Sequence, residues 1–166
     1  MPRSWGQAVG FLLGFALALW LSPFGARAAA ADDLARLEAA LLEQVNAVRQ
    51  QRHLVPLRRS EHLDAVARAH SLDMAERHYV AHNSPEGANA IARLEQARVA
   101  GFSLAAENIG ATNRSGANQE IVASWLASPI HRNNLLAPVF NTTGIGIART
   151  ADGRLIYTQL YVTYPR

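Results

Sequence analysis

Residues 143–164 read TGIGIARTADGRLIYTQLYVTY, two β-branched and aromatic runs, Thr143 to Arg149 and Arg154 to Tyr164, around Asp152-Gly153. An Asp-Gly pair between such runs is a strong hairpin signal, because both turn positions favour a positive φ, so the runs are expected to pair antiparallel. In the second run Leu155, Tyr157, Gln159, Tyr161 and Thr163 share one face, and Ile156, Thr158, Leu160 and Val162 share the other. The second, more apolar set is expected to face helices.

Upstream of the hairpin the period is helical. Leu34, Leu37, Leu41, Val45 and Val48 recur at three- and four-residue steps after Asp33, which predicts a capped helix ending near His53. Leu54 to Arg59, with Pro56, reads as an extended link. Ser60 offers a second cap for the stripe Leu63, Val66, Ala67, His70, Met74, reaching Tyr79. His82 to Ala88 is a turn-forming loop, Ala90 to Ala100 a helix stopped by Gly101, and Leu104 to Gly110 a strand. After a polar loop, Asn118 caps a short helix that ends before Pro129. Helices followed by hairpin strands, with helices enough to cover both sheet faces, define an α+β sandwich.

The N-terminus carries Arg3 and then an apolar run, Ala8 to Leu21, with no charged residue. That is shorter than the roughly 20 residues of a membrane span and fits a secretory signal, with small residues at Ala26 and Ala28 for cleavage. Residues 1–28 are therefore expected to be a signal peptide, and residues 29–166 one domain whose folded part runs from Leu34 to Tyr164. The protein is expected to be exported, to a periplasm or outside the cell, with no stable membrane span after cleavage.

The chain has 166 residues and no cysteine, so its core must hold without disulfides. All sixteen basic residues are Arg, and the signal removes two, leaving fourteen against thirteen acids. A near-neutral balance without a long basic run excludes a nucleic-acid binder.

Four polar residues beside apolar sequence stand out: His82, Glu107, Glu120 and His131. Buried carboxylates need partners, so two imidazoles and two carboxylates can satisfy one another or hold a divalent metal. Their spacing alone does not group them. His70, on an apolar helical stripe, reads as a core imidazole with its hydrogen bond satisfied. No Ser or Cys stands beside a base in a defensible pattern, so an enzyme here would have to use water.

Several segments together resemble the CAP family (cysteine-rich secretory, antigen 5 and pathogenesis-related 1; SCP-like extracellular domain) in its bacterial, cysteine-free form. These are Leu42-Glu43-Gln44-Val45-Asn46-Ala47-Val48-Arg49, Tyr79-Val80-Ala81-His82-Asn83-Ser84-Pro85, Glu107-Asn108-Ile109, Glu120 five residues before Trp125, Ser128-Pro129-Ile130-His131-Arg132-Asn133-Asn134-Leu135-Leu136, and Gly144-Ile145-Gly146 with Gln159. Ala106 and Ile130 stand where the family usually has Gly. The resemblance implies a three-layer α-β-α sandwich in which His82, Glu107, Glu120 and His131 converge in one cleft. It also implies zinc or another divalent cation on His82 and His131, and a lipid or cell-envelope ligand. A metal-assisted hydrolase of cell-wall or peptide substrate, with Glu107 or Glu120 as general base, is the alternative.

Overall fold

The computed structural model describes residues 23–165, with side chains from residue 30. The expected signal run, Ala8 to Leu21, lies outside the described residues. In chain order the elements are α1 (Pro23–Gln51), β1 (Arg58–Arg59), α2 (Glu61–Glu76), α3 (Ala90–Gln96), β2 (Leu104–Thr112), α4 (Ala117–Ala127), α5 (Pro129–Leu136), β3 (Thr142–Arg149) and β4 (Leu155–Thr163).

The hairpin forms as its sequence directs. β3 and β4 pair antiparallel, from Thr142 opposite Val162 to Arg149 opposite Leu155, and Gly153 in the turn has φ 88°. The sheet order is β1-β3-β4-β2, with β2 antiparallel to β4 and β1 parallel to β3. β4 is thus central, and its residues 155–162 are all buried.

Both faces of β4 meet helices. Tyr157 and Tyr161 pack with Leu41 and Val45 of α1, Ile121 and Trp125 of α4 and Leu135 of α5. Leu160 and Val162 pack with Leu63, Val66 and Ala67 of α2 and Leu94 of α3, and Ile156 with Met74. The result is a three-layer α-β-α sandwich. The face carrying Tyr157, Gln159 and Tyr161 is as buried as the apolar one because its polar atoms are matched. Tyr157 Oη donates to Asn118 (3.1 Å), Tyr161 Oη to Gln159 (2.8 Å), and Gln159 to the Thr143 hydroxyl (3.1 Å).

Helix boundaries depart from the sequence reading in five places. Asp33 is not a cap: α1 starts at Pro23 and runs through it, and Asp33 pairs instead with Arg149 at 3.1 Å. The α4 cap is Gly116, in the left-handed region at φ 77°, while Asn118 lies buried in the first turn and donates to the Leu37 carbonyl at 2.8 Å. Pro129 opens a further helix, α5, rather than only ending one, since the first helical position needs no N–H. α2 and α3 stop short, at Glu76 and Gln96, with His78 and Arg98 beyond them at φ 57°.

The outer side of β3 is mostly unpaired, because β1 covers only Thr142 and Thr143. Buried carboxylates from the helices complete it. Ile145 N donates to Asp64 Oδ1 at 2.7 Å and Ile147 N to Glu38 Oε1 at 3.3 Å. Arg59 joins both acids, at 2.7 Å to Asp64 and 2.8 Å to Glu38, and Arg68 Nε reaches Glu38 at 2.8 Å. Exposed edge strands invite pairing with other chains, and this capping blunts the edge.

Candidate functional site

His82 sits in the loop between α2 and α3, which its own backbone closes: Ser84 N donates to the Ala88 carbonyl at 3.0 Å and Gly87 N to the Ser84 carbonyl at 2.8 Å. Arg93 of α3 fastens this loop to the sheet. Its Nη1 donates to the carbonyls of His82 (3.0 Å) and Ala88 (2.7 Å), and its Nη2 to Glu107 Oε2 at 2.6 Å.

The other oxygen of Glu107 meets His82 Nδ1 at 2.9 Å. An ionised carboxylate only accepts, so Nδ1 carries the proton and Nε2 of the neutral ring keeps a free lone pair. The Glu107 side chain is 3% exposed and that of His82 51%. The carboxylate is therefore a buried orienting group, and the imidazole is presented to solvent.

His131 arrives from the opposite helical layer. On β2, Glu107 points toward the α2 and α3 side, as Ile109 does, while Asn108 points toward the α5 side and bonds Tyr161 Oη at 3.2 Å. Asn108 Nδ2 also holds the His131 carbonyl at 3.0 Å, and Asn134 of α5 donates to the Glu107 carbonyl (3.2 Å) and Asn108 Oδ1 (3.0 Å). These bonds dock α5 on the edge strand β2. The two imidazoles meet there, with ring centroids 6.2 Å apart and planes tilted by 40°. Burial, and then the charge of His82, hold the His131 pKa below its usual value, which favours the neutral ring.

Glu120 does not join them. Its carboxylate accepts from the Thr112 hydroxyl and pairs with Arg114 at 3.3 Å. Thr112 lies five residues along β2 from Glu107, about 17 Å at ~3.4 Å per residue, and an odd offset places it on the other face. The expected four-residue cleft is therefore a three-residue constellation of His82, Glu107 and His131. No group of three or more His, Cys, Asp or Glu positioned for one ion occurs among the described residues.

Reading the sequence missed Arg93, Asn108 and Asn134. The two asparagines stand inside quoted motifs, but Arg93 is one arginine of many in a short helix, and its spacing carries no signal. His70 is buried as expected, at 2% exposure. Only one of its nitrogens is satisfied: Nε2 meets the Ala81 carbonyl at 3.1 Å, and Nδ1 has no partner.

Burial, then the charge of Arg93, lowers the His70 pKa. With the folded value below the unfolded one of about 6.5, the unfolded chain takes up the proton first as pH falls. The stability His70 contributes as a neutral ring is thus lost as pH drops through about 6.5, and the loss levels off below the folded pKa. Denaturant melts of His70→Gln between pH 7.5 and 5 are expected to show a shallower acid loss than the parent, by up to about 1.4 kcal/mol per pH unit. An unchanged slope would assign the acid response to other groups.

A three-layer sandwich with two imidazoles meeting at its edge strand, one braced by a buried carboxylate, defines the class of domain anticipated from the motifs. The chain belongs to the CAP family, the cysteine-rich secretory protein family, whose model matches residues 42–161. It is 31% identical over 133 residues to protein YkwD of Bacillus subtilis (strain 168), covering 80% of this chain and 49% of that protein. The chain thus spans about half the length of that curated relative. An extracellular protein containing an SCP domain from Bacillus anthracis is 32% identical with a TM-score of 0.64, over 80% of this chain and 43% of that one. An outer surface protein of Borrelia burgdorferi, at 20% identity, shares the fold with a TM-score of 0.69 over 76% of this chain and 92% of that one. Among the described residues no helix is long and apolar enough to cross a membrane.

Proposed function

We propose that this chain is an exported binding module in which His82 and His131 hold a divalent cation, zinc by preference, beside a surface that receives a lipid or cell-envelope molecule. The observation that supports this reading is the convergence of the two rings at 6.2 Å with His82 Nδ1 engaged by Glu107. A carboxylate on the far nitrogen fixes tautomer and orientation and raises ligand basicity, a common arrangement behind metal-bound histidines. Two imidazoles fit an open, exchangeable site rather than a closed structural one, which takes four protein ligands. A cation held there supplies positions for an oxygen atom of the ligand.

The hydrolytic alternative is less supported. The route in which Glu107 or Glu120 is the general base requires a carboxylate with a free oxygen near the cation. Both oxygens of Glu107 are committed, one to His82 and one to Arg93, and Glu120 is turned to Thr112 and Arg114. Glu107 therefore serves to position His82. Export rests on the N-terminal run, and mature protein from the native host is expected to begin near Ala29.

Zinc at about a hundred times its dissociation constant is expected to add about 2.7 kcal/mol to stability. Thermal melts with zinc or with chelator read this directly. His82→Ala and His131→Ala should each remove most of the gain, and acid should weaken it, because ligating imidazoles must be neutral. A parent protein whose melting is indifferent to zinc at neutral pH sinks the cation. Release of product from peptidoglycan in a zinc-dependent manner would instead favour the hydrolase.

A further inference from the structure

His82 is restrained at both of its ends. Its backbone carbonyl sets where the residue stands, and the Glu107 carboxylate on Nδ1 sets how the ring is turned. Both restraints pass through Arg93. Its Nη1 donates to the His82 carbonyl at 3.0 Å and to the Ala88 carbonyl at 2.7 Å, and its Nη2 to the second Glu107 oxygen at 2.6 Å. One nitrogen therefore bridges the two ends of the loop from His82 to Ala88, and its neighbour in the same plane holds the strand.

The arginine is itself firmly placed. Asn89 caps α3 by accepting from Ala92 N at 2.9 Å, and Leu94, beside Arg93, is fully buried among residues of α2 and β4. The Arg93 side chain is 11% exposed and that of Glu107 3%, so water competes little for these bonds. A guanidinium is a rigid planar fork with five donors and can hold several oxygens at set positions, whereas an ammonium is a compact point charge. His131 is held differently, its carbonyl accepting from Asn108 at 3.0 Å.

A second arginine also grips the loop. Arg77 pairs with Glu86 at 2.7 Å, but the Glu86 side chain is 65% exposed, and this contact involves neither the His82 carbonyl nor Glu107. The two arginines thus separate stiffness of the loop from placement of the ring.

We propose that Arg93 is a positioning residue for the cation site, fixing the His82 ring with Nδ1 on Glu107 and Nε2 free to bind, through the carbonyl and the carboxylate rather than through the ring itself. The proposal rests on the reading of His82 as a cation ligand. Removing a group behind a metal-bound histidine typically weakens the metal by about 10–100-fold, and Arg93 supports two such restraints at once.

The test compares Arg93→Met, Arg93→Lys and Arg77→Met with the parent in the full-length protein, at about pH 8, where ordinary imidazoles are neutral. Without metal, nitrogen NMR reads the His82 tautomer, and ring-to-ring NOEs read its approach to His131. The parent and Arg77→Met should show Nδ1 protonated and the NOEs intact, and Arg93→Met mixed tautomers and weakened NOEs. In zinc titrations Arg93→Met should bind at least about tenfold more weakly than the parent. Arg93→Lys should fall between them, and Arg77→Met should match the parent. Parent-like tautomer and NOEs in Arg93→Met, parent-like zinc affinity in Arg93→Lys, or an equal loss in Arg77→Met would each overturn the proposal. If Arg93→Met does not fold, Arg93→Lys carries the ring comparison, because its ammonium can still neutralise Glu107, and it is expected to depart from the parent in the same direction. A parent that binds no zinc would sink the cation reading instead, and the metal-free ring measurements would still decide the role of Arg93.

Discussion

Gly146→Ala is expected to destabilise the protein by more than about 3 kcal/mol, beyond the ordinary range of overpacking in a core. A Cβ at Gly146 would lie 2.1 Å from the backbone nitrogen of Arg68 and 2.2 Å from the carbonyl carbon of Ala67. At Gly144 it would lie 2.2 Å from the carbonyl carbon of Leu63. Backbone atoms cannot rotate aside as side chains do, so α2 would have to lift from β3. That movement would open the packing of Leu63, Val66 and Ala67 against β4, and it would loosen the bonds of Asp64 to Ile145 and of Ser71 to the Gly146 carbonyl, at 2.7 and 2.9 Å. Gly153→Ala supplies the contrast. Its site has open space but φ 88°, so the cost is the left-handed conformation alone, about 1–2 kcal/mol. Urea unfolding of the two variants decides: equal losses would mean that α2 is free to shift, and the close approach would not be a determinant of the fold.

That close approach was written in the alternation Gly144-Ile145-Gly146, where the glycines face α2 and the isoleucine faces α1 and α4. What the sequence showed best was periodicity. The stripes of α1 and α2 and the alternation of β4 are set by burial, and burial leaves a repeating trace. What it hid were the ends of elements and the polar contacts across them. Pro129 reads equally as the end of α4 and the start of α5, and only the packing of Leu135 in the core shows that the second holds. Asn118 was a reasonable cap, but its amide finds Leu37 and Tyr157, residues distant in sequence.

The site was legible to the extent that motifs could stand in for geometry. His82, Glu107 and His131 meet through loops and layers, so no local spacing joins them, and resemblance to a family was the route to the group. The same route placed Glu120 with them by its position before Trp125. The strand decided otherwise, because Thr112, whose hydroxyl donates to Glu120, lies five residues along β2 from Glu107, about 17 Å away at ~3.4 Å per residue. Arg93 was invisible for the complementary reason. It acts through two carbonyls and one carboxylate, and carbonyls have no sequence signature.

Arg49→Met is expected to cost about 3–5 kcal/mol and to disturb His131 as well. Arg49 is fully buried, and among the described residues no carboxylate pairs with it. Its guanidinium donates only to carbonyls: Val55 (3.0 Å), Leu135 (2.8 Å), Ala137 (3.1 Å) and Phe140 (3.1 Å). Burial lowers its pKa, but an arginine stays charged, and two of these carbonyls lie at the C-terminal end of α5, where the helix dipole favours a cation. One side chain thus ties the end of α1 to the chain before β1, the end of α5 and the approach to β3. Replacing a buried ion pair by apolar residues can be neutral, because both partners go together. Here methionine removes the donors and leaves the carbonyls, each costing about 1–3 kcal/mol if it stays buried and unmatched. Arg49→Lys keeps the charge but not the spread of donors, and should fall between the two. Because α5 carries His131, the methionine variant should also bind zinc more weakly under conditions where it remains folded. Denaturant unfolding with a parallel zinc titration reads both effects. A methionine variant as stable as the parent would show that the carbonyls find water or other donors, and would remove Arg49 from the account of how α5 is held.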